Sequence, residues 1–162
     1  MMYYLENLNG VLFTELFMIF ALLFGWFESN SLVKWYRSFG LGAVLADITI
    51  IMIGIIIAQI IYPFIFRSFS LHKFIGLALL VQITHDSLLG LIINSCPVGK
   101  SPIIDTFKEY IDESGAWILL ADSFMIVLAI LIMQFMKQYS RDVNIITLII
   151  MLYKLPYLLY SV

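Results

Sequence analysis

The chain has 162 residues, of which 62% are hydrophobic and only 12% are charged, and its formal net charge at pH 7 is −2. With a mean hydropathy of +1.01, it lies far outside the composition of soluble globular domains, in which about a quarter of the residues are charged. The composition therefore predicts an integral membrane protein in contact with the lipid bilayer. The negative net charge and the lack of a basic run predict no nucleic-acid partner. The length allows a single membrane domain over residues 1–162.

Five apolar runs are long enough to cross about 30 Å of hydrocarbon: 10–27, 40–66, 71–94, 116–136 and 143–162. Each is expected to be a helix, because a helix pairs its backbone groups internally and a lone strand in lipid does not. The fifth run contains Lys154 and Pro156, so the alternative to a full crossing is a segment that bends at Pro156 or lies along the surface. The prediction is an all-α bundle of four to five transmembrane helices.

Two aromatic stretches flank these runs, GWFESNSLVKWYRSFG and YKLPYLLY. Tryptophan, tyrosine, lysine and arginine at the end of an apolar helix are typical of the membrane interface. We therefore interpret both stretches as parts of an interfacial belt.

The segment SPIIDTFKEYIDESG, residues 101–115, differs from the apolar runs. Ser101 is a suitable N-cap, Pro102 fits the first helical position, and Gly115 fits the end of a helix. Apolar residues repeat between them at helical spacing, opposite an acidic and basic face; they are Ile103, Ile104, Phe107, Tyr110 and Ile111. The pattern predicts a short amphipathic helix on the membrane surface. The alternative is a helix packed on a partner or on the loops of the bundle itself.

Two of the apolar runs share one pattern: LADITIIMIGIIIAQ (45–59) and LADSFMIVLAILIMQ (120–134). Each begins Leu-Ala-Asp and ends with Gln, and an even number of helices separates the two starts. The pattern therefore predicts a parallel repeat, with both helices running in the same direction. Small residues on the stripe that carries the aspartates allow helix backbones to approach closely; these candidate packing residues are Gly54, Ala58 and Ala129.

Polar residues interrupt the apolar runs and are predicted to meet at one depth. This polar cluster consists of Asp47, Gln82, His85, Asp86 and Asp122. An isolated charge near the middle of a bilayer costs several kcal/mol, so the members are expected to pair with one another or to reach water. The predicted pair is His85 with Asp47 or Asp122. Glu15 and Lys154 are candidate further members, and the alternative for each is to extend to the nearer surface.

Three functions are compatible with such a cluster. The first is a structural hydrogen-bond network that holds the helices in one arrangement. The second is a proton or ion path through Asp47, His85, Asp86 and Asp122, as in a small transporter or channel-like protein. The third is a membrane-embedded, metal-dependent enzyme, although the chain has no HExxH, DxxD or similar spacing of metal ligands. We assign no catalytic residue, no metal ligand set and no cofactor; a non-enzymatic protein is the first hypothesis, and the enzyme stays open as the third.

The segment FIGLALLVQITHDSLLGLIINSCPVGKSPIIDTFKEYIDESGAWILLADSFMIV resembles a family of uncharacterised small multi-pass membrane proteins of the nucleocytoplasmic large DNA viruses. The upstream segment WYRSFGLGAVLADITIIMIGIIIAQIIYPFIF is similar to the same family, so the resemblance spans about residues 35 to 135. The matching residues are Trp35, Arg37, Asp47, Pro63, Gln82, His85, Asp86, Pro97, Gly99, Lys100, Asp105, Phe107, Lys108, Tyr110 and Asp122. One departure is Trp117, which replaces the smaller residues of the family's pattern.

The resemblance implies a viral setting, because such viruses build an internal membrane beneath an icosahedral capsid. It implies a protein of the virion's internal membrane, or of the host membrane at viral assembly sites, with a structural or assembly role. Viral capsid proteins and other membrane proteins are then candidate partners. Apart from the resemblance, a second copy of the chain is a further candidate.

Overall fold

A computed structural model describes residues 4–162, and within that range the chain forms seven helices and no strand. The helices are α1 (Tyr4–Leu23), α2 (Asn30–Phe39), α3 (Leu41–Ile65), α4 (Leu71–Ser95), α5 (Pro102–Ser114), α6 (Trp117–Met136) and α7 (Arg141–Leu159). Five of them, α1, α3, α4, α6 and α7, are long and apolar enough to cross a membrane. The predicted all-α bundle is confirmed.

The first span begins earlier than its apolar run suggested. α1 is already helical at Tyr4, whereas the sequence placed its start at residue 10. The reason is that Asn7 and Asn9 lower the local hydropathy but are fully buried among other helices. The fifth span differs less, because α7 continues as a helix through Pro156 to Leu159.

α2 is a helix that the sequence did not predict. The hydroxyl of Ser29 accepts a hydrogen bond from the amide of Leu32 and caps its first turn, and the helix ends at Gly40, whose φ is +52°. Glycine adopts this left-handed conformation without steric cost, so the chain can turn sharply from α2 into α3. The aromatic stretch interpreted as a belt is thus in part a helix folded back on the bundle, with Trp35 and Tyr36 buried.

α1 lies at the centre of the bundle, packed mainly against α6 and α7. α1 and α6 approach one another closely at Gly10, where a β-carbon would lie 2.3 Å from the carbonyl oxygen of Ala129. A real β-carbon cannot come so close to a backbone atom. The two helices can therefore pack at this separation because residue 10 is glycine.

The predicted repeat is part of a larger one. α3 and α6 run in the same direction, because Asp47 and Asp122 lie near one another at one end and Gln59 contacts Met133 at the other. A short helix precedes each of them and ends at a glycine of positive φ, Gly40 or Gly115.

Aligning the two glycines defines equivalent positions in the α2–α3 and α5–α6 pairs. The equivalent residues include Lys34 and Glu109, Trp35 and Tyr110, Tyr36 and Ile111, and Asp47 and Asp122. α1 packs on α6 and, correspondingly, α4 packs on α3. The contacts of α1–α3 and α4–α6 thus correspond, as expected for a parallel repeat, and α7 lies outside that correspondence.

Candidate functional site: an acidic cavity

A cavity of about 370 Å³ lies where α2 and α5 cover the first turns of α3 and α6. Three carboxyl groups line it, one each from α3, α4 and α6: Asp47, Asp86 and Asp122. Four aromatic residues of the covering helices complete the polar end of the cavity, and these are Trp35, Tyr36, Phe107 and Tyr110. We call this space the acidic cavity.

The α2 helix holds Asp47 in place. The indole Nε1 of Trp35 donates a hydrogen bond to Oδ2 of Asp47 over 3.1 Å. The turn at Gly40 makes this contact possible, because it folds α2 back over the start of the helix that carries the aspartate. One carboxylate oxygen of Asp47 is therefore fixed by a neutral donor rather than by a cation.

Gln82 and Asp86 form the α4 side of the polar end. Nε2 of Gln82 donates to Oδ1 of Asp86 over 2.7 Å, and the charge of Asp122 is close enough to act on Asp86. Gln82 is buried. Among residues 4–162, its Oε1 and the Oδ2 of Asp86 have no hydrogen-bond partner. Buried acceptors without a donor are costly, so this end of the cavity can bind a ligand that donates hydrogen bonds.

The pairing predicted for His85 is wrong. Its Nδ1 lies 3.1 Å from Oδ1 of Asp86, the next residue along α4, and not against Asp47 or Asp122. Consecutive helical residues point about 100° apart, so His85 faces outward while Asp86 faces the cavity, and 42% of the histidine side chain is exposed.

Of the two further candidates, only Glu15 joins the acidic residues. It is fully buried on α1, and its Oε1 accepts a hydrogen bond from the hydroxyl of Tyr36 over 2.8 Å. Its charge is also close enough to act on Asp47 and Asp122. Lys154 instead lies exposed on α7, which corresponds to the alternative that its side chain extends to the surface.

The two tyrosines of the covering helices lie close to the carboxyl groups. Burial raises the pKa of Tyr36 well above its ordinary value, and the adjacent carboxylates of Glu15 and Asp47 raise it further. Burial and the charge of Asp122 raise the pKa of Tyr110 in the same way. Both hydroxyl groups therefore keep their protons at any physiological pH.

The charge of the cavity is not balanced from within. Among the residues that line it in the described part of the chain, none is lysine, arginine or histidine. Ionised carboxyl groups held this close repel one another, so a proton or a cation between them lowers the energy. Within residues 4–162 no group of three or more His, Cys, Asp or Glu side chains is arranged to hold a metal ion.

The amphipathic helix packs on the protein and not only on lipid. The ring of Phe107 lies 4.9 Å from that of Trp35, and Tyr110 and Ile111 line the cavity beside it. Ile104 is half-buried, and Ile103 is exposed. The main neighbour of α5 is α2. This is close to the alternative of a helix packed on the loops of the bundle, except that the neighbour is itself a helix.

The predicted packing residues lie between helices. Gly54, Ala58 and Ala129 are all buried. A β-carbon at Gly54 would lie 3.2 Å from Oε1 of Gln82, so the small residue leaves room for the glutamine that positions Asp86.

Sequence reasoning missed the aromatic contribution of α2 to the site. A signal was present, because Leu32, Trp35, Tyr36 and Phe39 repeat at helical spacing. The same stretch also has the composition of an interfacial belt. It was interpreted as such, and the helix was therefore not predicted.

The fold and its site are those of a multi-pass α-helical membrane protein with an acidic cavity inside one half of the bundle. Comparisons with protein-family models, with curated proteins and with solved structures find no match to the chain.

Proposed function

We propose that this protein is a small membrane carrier or channel-like protein that binds a proton or a cation in the acidic cavity. The observation that carries the proposal is that Asp47, Asp86 and Asp122 face one cavity without a basic residue in its wall. Acidic groups inside a membrane bundle are costly, and ion and proton pathways are where such groups typically occur.

A purely structural network is supported less well. Such a network is expected to be dry and fully paired, because each unpaired buried group weakens it. Here Gln82 and Asp86 each keep an acceptor atom without a partner among the described residues, and both line a cavity large enough for a solute. These features favour exchange of a ligand over rigid support.

The decisive experiment is a flux assay with purified protein in liposomes. A potassium gradient with valinomycin drives protons, and an enclosed pH-sensitive dye reports their movement. Native protein is expected to conduct above the leak of empty liposomes. Asp47→Asn and Asp122→Asn are each expected to lower that flux about tenfold or more, because each removes one acidic group of the cavity; a tenfold change corresponds to about 1.4 kcal/mol. A parallel series of assays measures the flux of sodium and of tetramethylammonium in place of protons.

The matched control is Asp112→Asn, which removes the same charge from an exposed position on α5. It is expected to leave the flux unchanged. If native protein carries none of the three cations above the leak, the carrier is excluded and the structural role becomes the better explanation.

The internal membrane of a large DNA virus, or the host membrane where such a virus assembles, is the proposed location. Its support is the resemblance of residues 35 to 135 to the viral family. Labelling the protein in infected cells and in purified virions tests it, and absence of the label from both membranes would contradict it.

A further inference from the structure

One wall of the acidic cavity is exposed on the outside of the bundle. Ser87, Leu91 and Asn94 on α4 line the cavity and are exposed, Leu91 with 66% of its surface. Gly115, just before α6, also lines it and is exposed. The walls formed by α2 and α3 are more closed, since Trp35 and Ile51 are buried.

This opening faces lipid, because it runs along two membrane-spanning helices. It follows the last turns of α4 beside the first turns of α6, where Ile118 and Leu119 form its other side. Ser87 lies about 12 Å along the axis from the end of α4 at Ser95, at a rise of 1.5 Å per residue. The opening therefore extends from the end of α4 into the outer part of the hydrocarbon layer.

The two ends of the cavity differ in chemistry. The inner end has three carboxyl groups and the aromatic rings of Trp35, Tyr36, Phe107 and Tyr110, a combination that favours an ammonium group through charge and cation–π attraction. The residues near the opening are mainly apolar, namely Leu89, Gly90, Leu91, Ile118 and Leu119, and the polar Ser87 and Asn94 lie beside them. A headgroup that carries a phosphate or a sulfate would meet carboxylates and no base.

We infer that the ligand of the acidic cavity is an amphiphile with a cationic amine headgroup and one apolar chain, which enters sideways from the bilayer between α4 and α6. The inference rests on the proposed function and narrows its substrate class. The amine replaces the missing donors at Gln82 and Asp86, and the chain leaves the protein along Gly90 and Leu91. The volume of about 370 Å³ is at the small end for ligand pockets, so most of the chain stays in the lipid.

Binding can be followed with Trp35, which lines the cavity. Trp26 and Trp117 are exposed, so replacing both with phenylalanine leaves Trp35 as the fluorophore. The protein is placed in nanodiscs of uncharged lipid and titrated with dodecylammonium, butylammonium and dodecyl sulfate. The fluorescence of Trp35 is expected to change saturably with dodecylammonium and, at higher concentration, with butylammonium. Dodecyl sulfate is expected to cause no change.

Gly90→Leu tests the sideways opening. A β-carbon at Gly90 meets no atom within 4 Å, so a leucine can be accommodated and narrows the opening, and Gly90→Ala is the milder version. Gly90→Leu is expected to weaken the binding of dodecylammonium about tenfold and to leave the binding of butylammonium unchanged. Gly76→Leu is the matched control, because Gly76 is also an open site on α4 but does not line the cavity; it is expected to change neither.

The outcomes separate the inference from the proposed function. Butylammonium binding that Asp122→Asn abolishes, with no effect of Gly90→Leu on dodecylammonium, overturns the sideways amphiphile and leaves the cation carrier intact. An equal dodecylammonium signal in Asp122→Asn is binding to lipid only and also overturns the inference. If no ammonium compound changes the fluorescence of Trp35 and no cation flux is measured, both proposals fail.

Discussion

The ammonium group of Lys34 on α2 lies 2.6 Å from a carboxylate oxygen of Glu109 on α5, and these two residues hold equivalent positions in the two repeated helix pairs. The carboxylate of Glu113, one turn further along α5, accepts hydrogen bonds from the amides of Asn30 and Ser31 at the start of α2. α2 and α5 are therefore antiparallel. They cover the acidic cavity and are joined to each other by charged contacts on its outer side.

Reversing the charge of either partner is expected to weaken this cover slightly. Each of Lys34→Glu and Glu109→Lys places like charges together, and the double variant restores an opposite pair. Because both side chains are about half exposed, we expect a coupling energy of only about 0.5 kcal/mol. Chemical unfolding of the four proteins in detergent measures it, and repeating the cycle in 1 M salt should abolish it. A coupling that persists in high salt would show that the pair acts through packing and not through charge.

Glu113 gives the contact between α2 and α5 a pH dependence. Hydrogen bonds from the side chain and amide of Ser31 and from the amide of Asn30 lower the pKa of Glu113 in the folded protein. Its contribution to stability is therefore complete above its ordinary value of 4.5 and is lost as the pH falls through the lower folded value. The fluorescence of Trp35, which contacts Phe107 on α5, should report the loosening below pH 4.5.

Glu113→Gln is the matched variant for that titration, because glutamine keeps the shape and removes the charge. It is expected to weaken the cover at neutral pH and to remove the acid transition. An acid transition that survives in Glu113→Gln would assign it to another carboxyl group.

Gly10 should be the least replaceable glycine of the spans. In Gly10→Ala the new methyl group would lie 2.3 Å from the carbonyl oxygen of Ala129, a backbone atom that cannot move alone. α1 and α6 must then separate, at a cost of about 1 to 3 kcal/mol. Thermal unfolding in detergent should show a clear fall in the midpoint. Gly76→Ala, where a β-carbon meets nothing within 4 Å, should show none, and equal midpoints for the two variants would contradict the close approach.

The spans were predictable because hydrocarbon thickness fixes their length and a helix is the structure that pairs its own backbone. α4 and α6 follow their apolar runs to within a residue at each end, Leu71–Ser95 against 71–94 and Trp117–Met136 against 116–136. The start of α1 was not predictable from hydropathy. Asn7 is buried because Gln59 pairs with it through two hydrogen bonds, and a partner so distant in the chain leaves no local pattern.

The sequence predicts the depth of each acidic residue in the membrane, but it does not predict which side chain each of them contacts. Counting along each helix places Asp47, Asp86 and Asp122 at similar depths, because the rise per residue is constant. Which group faces which depends on helix rotation and on whether the chain folds back, as α2 does at Gly40. Trp35 is therefore the donor to Asp47, whereas His85 turns outward.

Asn9 and Asn144 should be coupled across the α1–α7 contact. Both are fully buried, and Nδ2 of Asn9 donates to the Oδ1 of Asn144 over 2.9 Å and to its carbonyl oxygen over 3.0 Å. Nδ2 of Asn144 in turn donates to the carbonyl oxygens of Met136 and Ser140, which ties the start of α7 to the end of α6.

Asn9→Leu leaves the Asn144 oxygen without this donor, so the single variant should cost more than the interaction itself. In the double cycle with Asn144→Leu we expect a coupling energy of about 1 kcal/mol, the usual range for hydrogen bonds between membrane helices. Unfolding free energies of the four proteins measure it, and strictly additive costs would mean that the two asparagines stabilise α1 and α7 independently.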